Sequence, residues 1–169
     1  MKILYAPWRE TYAQDISTAA HGKETAQQED CVFCTIAHQP EQDAQNFVLK
    51  RYKYCFIILN RYPYNAGHVL IIPYSHTRNL HELGLPAQQE LIGLISLTTK
   101  ILEQALTCEG FNVGINMGKA AGAGIPAHLH THVLPRWIGD TNFLPALAQT
   151  KAISFDLPTL YAKLLPHFS

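Results

Sequence analysis

Three histidines, His128, His130 and His132, fall on every second residue of the sequence. In a β-strand, alternate side chains lie on the same face, so this spacing predicts a row of imidazoles on one side of a sheet. The segment 118–126 just before them contains three glycines. Backbone amides in such loops bind anions. Nucleophilic bases beside an anion-binding loop indicate chemistry at a phosphate group.

Two other interpretations of the three histidines stay open at the level of sequence. They could bind a metal ion together, or they could be structural histidines whose hydrogen bonds are all satisfied. An affinity tag does not fit, because the cluster is interrupted by apolar residues and lies far from both ends of the chain. Nucleophilic catalysis is preferred, since a neutral imidazole has a lone pair at physiological pH.

The segment 128–134, His-Leu-His-Thr-His-Val-Leu, resembles a known signature, His-φ-His-φ-His-φ-φ with φ apolar. That signature is typical of the histidine-triad (HIT) nucleotide hydrolases and transferases. This chain departs from it at one position, where Thr131 stands in place of an apolar residue. Further segments are similar to one branch of that family, the bacterial diadenosine tetraphosphate phosphorylase-like (ATP adenylyltransferase-like) proteins. These are residues 6–9, 31–34, 124–130 and 135–143. Residues 62–73 resemble the strand-turn-strand segment upstream of the triad in the family as a whole, so the likeness covers most of the chain.

The resemblance implies a role for each of the three histidines. His130 is implied as the nucleophile that attacks phosphorus and carries the nucleotide as a phosphoramidate, its other ring nitrogen being held by a backbone carbonyl. His132 is expected to contact the α-phosphate or the oxygen that leaves from it, and His128 to align the site. The resemblance implies no catalytic divalent metal.

The resemblance also implies nucleotide-binding residues in three other regions. Asn60, eight residues before His68, is implied as a ribose contact, although it could equally cap a strand end, and His68 could support the site or simply be buried. Asn116 is implied as a nucleotide contact. Trp137 could stack on a base or lie in a subunit interface. Loop amides are expected to offset the charge that develops on the phosphorus oxygens, and these are the amides of Gly122, Ala123, Gly124 and Ile125.

Two cysteines three residues apart, Cys31 and Cys34, form half of a zinc site or a redox pair. No thioredoxin-like βαβ pattern follows them, which disfavours the redox pair, and ordinary thiols in a turn are the remaining alternative. In zinc-bearing relatives the ligands resemble a set that in this chain comprises Cys31, Cys34, His76 and His128. Such a closed site with four ligands implies a structural zinc ion.

The rest of the sequence predicts an α+β fold. Aromatic and β-branched runs predict strands at 47–50, 54–60, 67–73, 111–117 and 127–136. Apolar residues at helical spacing predict one long helix from Leu85 to Leu106, and a shorter stripe predicts a closing helix at 156–165. These elements suit the HIT-like arrangement of a five-stranded antiparallel sheet with one long helix and a short C-terminal helix. Residues 140–153 are predicted to be extended.

Composition limits the possible partners. With 169 residues, 47% of them hydrophobic, the chain suits one domain, interpreted as an N-terminal extension (1–30) and a core (31–169). The formal net charge of zero gives no indication of a nucleic acid or membrane partner. Residues 1–10 lack the apolar core of a signal peptide, so a cytoplasmic protein is expected. The resemblance implies a homodimer.

The sequence therefore predicts an enzyme of nucleotidyl transfer on dinucleoside polyphosphates. It would cleave diadenosine tetraphosphate through histidine-bound AMP, with phosphate or water as the acceptor, and bind AMP, ADP or ATP as product. A nucleoside phosphoramidase is one alternative, but that branch has a serine three residues before the first triad histidine, where this chain has Ile125. A non-catalytic nucleotide-binding protein is the other alternative.

Overall fold

A five-stranded antiparallel sheet forms the centre of the computed structural model, which describes residues 31–142, 153 and 155–168. The predicted α+β fold is confirmed. The expectations for residues 1–30 and for an extended segment at 143–152 lie outside the described residues. In the spatial order β1-β2-β3-β5-β4, the strands are β1 (Val48–Arg51), β2 (Cys55–Leu59), β3 (Val69–Pro73), β4 (Gly110–Ile115) and β5 (Thr131–Arg136).

The central strands β2 and β3 are buried along their whole length. Their sequences are continuous apolar runs, as expected for strands that are covered on both faces. Alternate residues divide between two apolar clusters. Ile57 and Ile71 belong to the cluster on the face of the long helix, whereas Phe56 and Ile72 belong to the cluster on the face that holds both cysteines of the Cys-x-x-Cys motif.

The long helix, α2, spans Leu85–Leu106, as predicted. Its residues at i, i+3, i+4 and i+7 form the buried face that packs on the sheet. Leu91, Leu94 and Leu102 are among the buried members of that face. Pro86 occupies its first turn, where the absence of an N–H costs nothing.

The closing helix, α3, spans Leu157–Leu164 and continues as a 3₁₀ turn to Phe168. The carboxylate of Asp156 caps it by accepting a hydrogen bond from the amide of Thr159 at 2.8 Å. Leu164 is buried against the main core, but Leu165 is 38% exposed, so the predicted apolar stripe is one residue shorter than expected.

A short helix that the sequence did not predict, α1 (Val32–His38), lies on the other face of the sheet. Its C-terminal end is fixed by Arg51, whose guanidinium donates to the carbonyls of Ile36 (2.7 Å) and Ala37 (3.0 Å). Asp43 holds that guanidinium in an ion pair at 2.6 Å. The second cysteine of the Cys-x-x-Cys motif thus sits in a helix rather than in a turn.

The fifth strand starts later than predicted. It was expected over 127–136 but begins at Thr131, so His128 and His130 precede it. The amide of His128 closes a turn onto the carbonyl of Ile125 (3.3 Å), which takes that part of the chain out of the sheet. Similarly, β4 ends at Ile115 rather than at residue 117.

Within the part of the chain that the structure describes, no helix is both long and apolar enough to cross a membrane.

Candidate functional site

The triad histidines and His68 are spread along strand β3, and His128 lies at its C-terminal end, where its Nε2 is 2.8 Å from the carbonyl oxygen of Pro73. His68 precedes β3, and His132 lies in β5 directly opposite Leu70 of β3. Gly67 has a φ of +74°, and a Cβ there would lie 2.5 Å from the side chain of Leu106. Only glycine fits this approach, which brings the chain into β3 with His68 facing the neighbouring strand.

His130 has a hydrogen-bonding pattern that leaves one nitrogen available as a nucleophile. Its Nδ1 lies 2.8 Å from the carbonyl oxygen of His128, and because a carbonyl can only accept, Nδ1 carries the proton. Nε2 of the neutral ring then has the lone pair. Burial lowers the pKa of His130, which favours that neutral form. This is the carbonyl contact predicted from the sequence.

His132 and His68 form a directional pair. The backbone amide of Tyr64 donates to Nδ1 of His68 (3.1 Å), so that nitrogen is an acceptor and the proton of His68 lies on Nε2. Nε2 of His68 then donates to Nδ1 of His132 at 2.9 Å. The neutral ring of His132 must therefore carry its own proton on Nε2.

The Nε2–H of His132 is available to a substrate. This buried atom has no hydrogen-bond partner among the described residues. Burial and, to a smaller extent, the neighbouring His130 lower the pKa of His132 to about 4, so the ring is neutral at pH 7. The rings of His130 and His132 lie 5.0 Å apart between centroids. A lone pair and an N–H donor therefore stand side by side, as transfer of a phosphoryl-type group requires.

An aromatic side chain from α1 contacts the triad. Phe33 is buried, and its ring meets those of His130 and His128 edge-on, at 5.2 and 5.4 Å between centroids. Such edge contacts are worth about 0.5–1.5 kcal/mol beyond area burial. No sequence pattern predicts this contact, because four strands and the long helix separate Phe33 from the triad along the chain.

The glycine loop uses some of its amides internally. The amide of Gly122 donates to the carbonyl of Lys119 at 2.8 Å, and that of Ala123 to the carbonyl of Gly118 at 3.4 Å. Among the described residues, no backbone carbonyl accepts from the amides of Gly124 and Ile125. Of the four amides predicted to bind phosphate, these two are the ones left available for it.

Four potential metal ligands meet on the same side of the sheet as α1. Their ligand atoms all lie within 4.8 Å of one another. Nδ1 of His128 is 3.3 Å from the sulfur of Cys31 and 3.5 Å from that of Cys34, and Nδ1 of His76 is 3.2 Å from Cys34 Sγ. The structure thus brings together the two cysteines and two histidines that the sequence analysis proposed.

The donor set fits zinc. Metal–ligand lengths of about 2.3 Å to sulfur and about 2.0–2.1 Å to nitrogen place tetrahedral donors roughly 3.5 Å apart, close to the distances seen here. Nε2 of His128 donates to the carbonyl of Pro73 at 2.8 Å, which leaves the lone pair on Nδ1, facing the sulfurs. Both ring nitrogens of His128 are therefore already in contact with protein groups, Nε2 with the carbonyl of Pro73 and Nδ1 with the cysteine sulfurs. Burial raises the pKa of the Cys34 thiol to about 12, with Cys31 adding to the shift, and a bound cation would offset this.

The three other residues predicted to contact the nucleotide, Asn60, Asn116 and Trp137, lie in different surroundings. Asn60 uses its side chain internally, because Oδ1 accepts from the amide of Tyr62 (3.0 Å) and Nδ2 lies 3.1 Å from Nδ1 of His68. Asn116 follows β4 at the entrance of the glycine loop. Trp137 packs on the main core, and its indole N–H donates to the carbonyl of Thr107 at 3.2 Å. It lies five residues beyond His132, about 16 Å along an extended chain, so it is not brought to the triad of its own chain.

Comparison with known proteins shows which family the fold and the triad motif are shared with. A family model described as the HIT domain matches residues 41–137. An "AP-4-A phosphorylase" of Mycobacterium tuberculosis is 37% identical over 111 residues, which are 66% of this chain and 57% of that protein. A "bis(5'-adenosyl)-triphosphatase" of Saccharomyces cerevisiae is 35% identical over 91 residues, 53% of this chain and 44% of that protein. The match thus spans about half the length of these curated relatives.

Solved structures show the same fold. A Zn-bound histidine triad family protein from Mycobacterium smegmatis superposes with a TM-score of 0.67 and 26% identity, covering 84% of this chain and 95% of that one. A hypothetical histidine triad nucleotide-binding protein from Sulfolobus tokodaii gives a TM-score of 0.65 at 24% identity, covering 82% and 91%.

Proposed function

Because the chain belongs to the HIT domain family, we propose that it is a nucleotidyltransferase or hydrolase that cleaves diadenosine tetraphosphate. The observation that carries this proposal is the pairing of a lone pair on His130 Nε2 with an N–H donor on His132 Nε2, each fixed by a hydrogen bond at the other ring nitrogen. The names of the two curated relatives, which act on dinucleoside polyphosphates, support the substrate class.

The first step forms a bond between His130 and the α-phosphorus. The lone pair of Nε2 attacks phosphorus, the bond to the bridging oxygen breaks, and ATP leaves with AMP remaining on the ring. The carbonyl of His128 continues to accept from Nδ1, so it stabilises the positive charge that the ring gains. The Nε2–H of His132 donates to the leaving oxygen, and the amides of Gly124 and Ile125 bind the phosphorus oxygens.

The second step returns His130 to its neutral form. An acceptor oxygen attacks the same phosphorus and the P–N bond breaks, so its electron pair returns to Nε2. Phosphate as the acceptor gives ADP, whereas water gives AMP. The name of the mycobacterial relative favours phosphate. Ile125 has no hydroxyl to assist an amine leaving group, which disfavours the phosphoramidase alternative.

The acceptor is identified by incubating the purified protein with diadenosine tetraphosphate, with and without inorganic phosphate, and separating the products by anion exchange. We expect ADP and ATP in equal amounts, formed only when phosphate is present. AMP and ATP at a rate that phosphate does not change would show that water is the acceptor. Intact dinucleotide under both conditions would contradict the proposed activity.

The reaction should remain active at mildly acidic pH. Burial disfavours the charged imidazolium, so the pKa of His130 is lowered and that of His132 falls to about 4, from an ordinary value near 6.5. Since attack needs neutral His130, activity is present above its folded pKa and lost as the pH falls through it. We expect the acid limb of kcat/KM to lie below pH 6.5. A midpoint at or above that value, measured over pH 4–9, would contradict the neutral-ring assignment.

We propose a structural role for zinc at Cys31, Cys34, His76 and His128. When bound, it would supply a crosslink between α1, the segment after β3 and the first triad histidine, and no catalytic chemistry. The Zn-bound neighbour supports this role. Reduced cysteine ligands fit the cytoplasm, which stays the predicted location.

The homodimer also stays a prediction, which the mass of the protein in solution tests. Strand β4 lies at a sheet edge and pairs with β5 alone among the described strands. It has neither lysine nor proline, the residues that commonly protect an edge, and Val113 is 45% exposed on it. This edge supports pairing with a second copy.

A further inference from the structure

Tyr64 contacts the His132–His68 pair in two different ways. Its backbone amide donates to Nδ1 of His68, which sets the direction of the pair. Its ring lies nearly parallel to the ring of His132, at 5.8 Å between centroids and 22° between planes, and 4.9 Å from the ring of His68 at 41°. No sequence pattern singled out this residue.

The ring of Tyr64 packs on both rings of the histidine pair and is itself partly exposed. Tyr64 is 36% exposed, whereas His68, directly beneath it, is 1% exposed. A ring stacked on an imidazole restricts its rotation about χ2 and keeps water from its face. His132 needs both effects, because its ring is held by one hydrogen bond at Nδ1 and its Nε2–H must reach a substrate oxygen.

We propose that Tyr64 is a positioning residue for His132, whose ring keeps the Nε2–H of His132 aimed at the leaving oxygen. The inference rests on the proposed function and adds to it a residue on the leaving-group side of the phosphorus. Leucine and phenylalanine keep the backbone N–H at this position, so Tyr64→Leu removes the ring contact and retains the hydrogen bond that sets the tautomer.

The test compares substrates that differ in their need for a proton. Two AMP esters serve, a p-nitrophenyl ester whose leaving group departs unaided and a phenyl ester whose leaving group needs a proton donor. General acid catalysis is worth about 10²–10⁴-fold. We expect Tyr64→Leu to lower kcat for the phenyl ester about tenfold more than kcat for the p-nitrophenyl ester, with KM changed less than about twofold. Equal losses for both esters, or a change in KM alone, would overturn the proposal.

Two further variants separate the ring from other effects. Tyr64→Phe keeps the stacked ring and should retain the wild-type ratio of the two esters; if it behaves as Tyr64→Leu does, the hydroxyl is responsible and the proposal is wrong. Tyr62→Leu is the matched control, because Tyr62 lies in the same turn and its side chain is 74% exposed. It should leave the ratio unchanged, and an altered ratio would show that the turn in general, not Tyr64, is responsible.

A readout without turnover keeps this test separate from that of the proposed function. The ¹⁵N chemical shifts of His132 report which ring nitrogen carries the proton. In the wild type we expect the Nε2–H form alone, and in Tyr64→Leu a mixture of forms or orientations. If the wild-type protein cleaves none of the substrates, the proposed function fails, while unchanged ¹⁵N shifts in Tyr64→Leu would separately overturn the role of Tyr64.

Discussion

The His130→Ala variant is expected to lose turnover of diadenosine tetraphosphate by a factor of about 10⁴ or more, while it retains its fold. Removal of a covalent nucleophile has an effect of this size because no other group can form the intermediate. His130 is 4% exposed, and among the described residues its ring makes one hydrogen bond, to the carbonyl of His128. Alanine therefore leaves a small cavity and one carbonyl without its donor, a cost of about 1–3 kcal/mol that the fold should withstand. The measurement is steady-state product formation beside a thermal melt.

A covalent intermediate gives the more direct readout. Dinucleotide labelled at the α-phosphorus should leave acid-labile label on the wild-type protein in a single turnover and none on His130→Ala. His81→Ala is the matched control, since His81 is exposed in the turn Leu80–Glu82 and contacts none of the triad rings. Label on His130→Ala equal to that on the wild type would assign the nucleophile to another residue.

The long helix could be predicted to the residue because its 22 residues repeat the helical period often enough to be unambiguous. The sheet was predicted as a set of strands, with the ends of β3 and β5 correct and the other limits wrong by one to four residues. The largest error, at the start of β5, has a physical cause. A period-two pattern of histidines suits a strand, but His128 turns toward the cysteines and its amide bonds Ile125, so the strand begins only at Thr131.

The site was predictable where the motif is local and unpredictable where contacts are distant. The carbonyl contact of His130 spans two residues. By contrast, His68 and His132 are 64 residues apart, and nothing in their spacing indicates that they pair. Helix α1 was missed because Val32, Thr35 and Ile36 are β-branched and disfavour a helix locally. Tertiary contacts override that preference, above all the guanidinium of Arg51 at its C-terminal carbonyls.

The Cys34→Ser variant is expected to lose its zinc and about 10 °C in melting temperature. Replacing a cysteine ligand by serine removes one of the four ligands of a closed site. The binding free energy of a structural metal contributes directly to folding, so its loss destabilises the domain. A loss of about 4 kcal/mol lowers Tm by roughly 8–16 °C in a domain of this size. Metal content by mass spectrometry should fall from about one zinc per chain to nearly none. Cys108→Ser is the control, because Cys108 is equally a buried thiol but lies outside the cluster.

The same variant should also lose most of its turnover, although the role proposed for zinc is structural. His128 links the two sites, since its ring is one of the four potential metal ligands while its carbonyl accepts from Nδ1 of His130. Phe33, next to Cys34 on α1, contacts the ring of His130 as well. Without the metal, both contacts loosen and His130 loses its single tautomer. Unchanged zinc content in Cys34→Ser would remove this cysteine from the ligand set. Full turnover in a zinc-free protein would instead show that the metal cluster does not position the nucleophile.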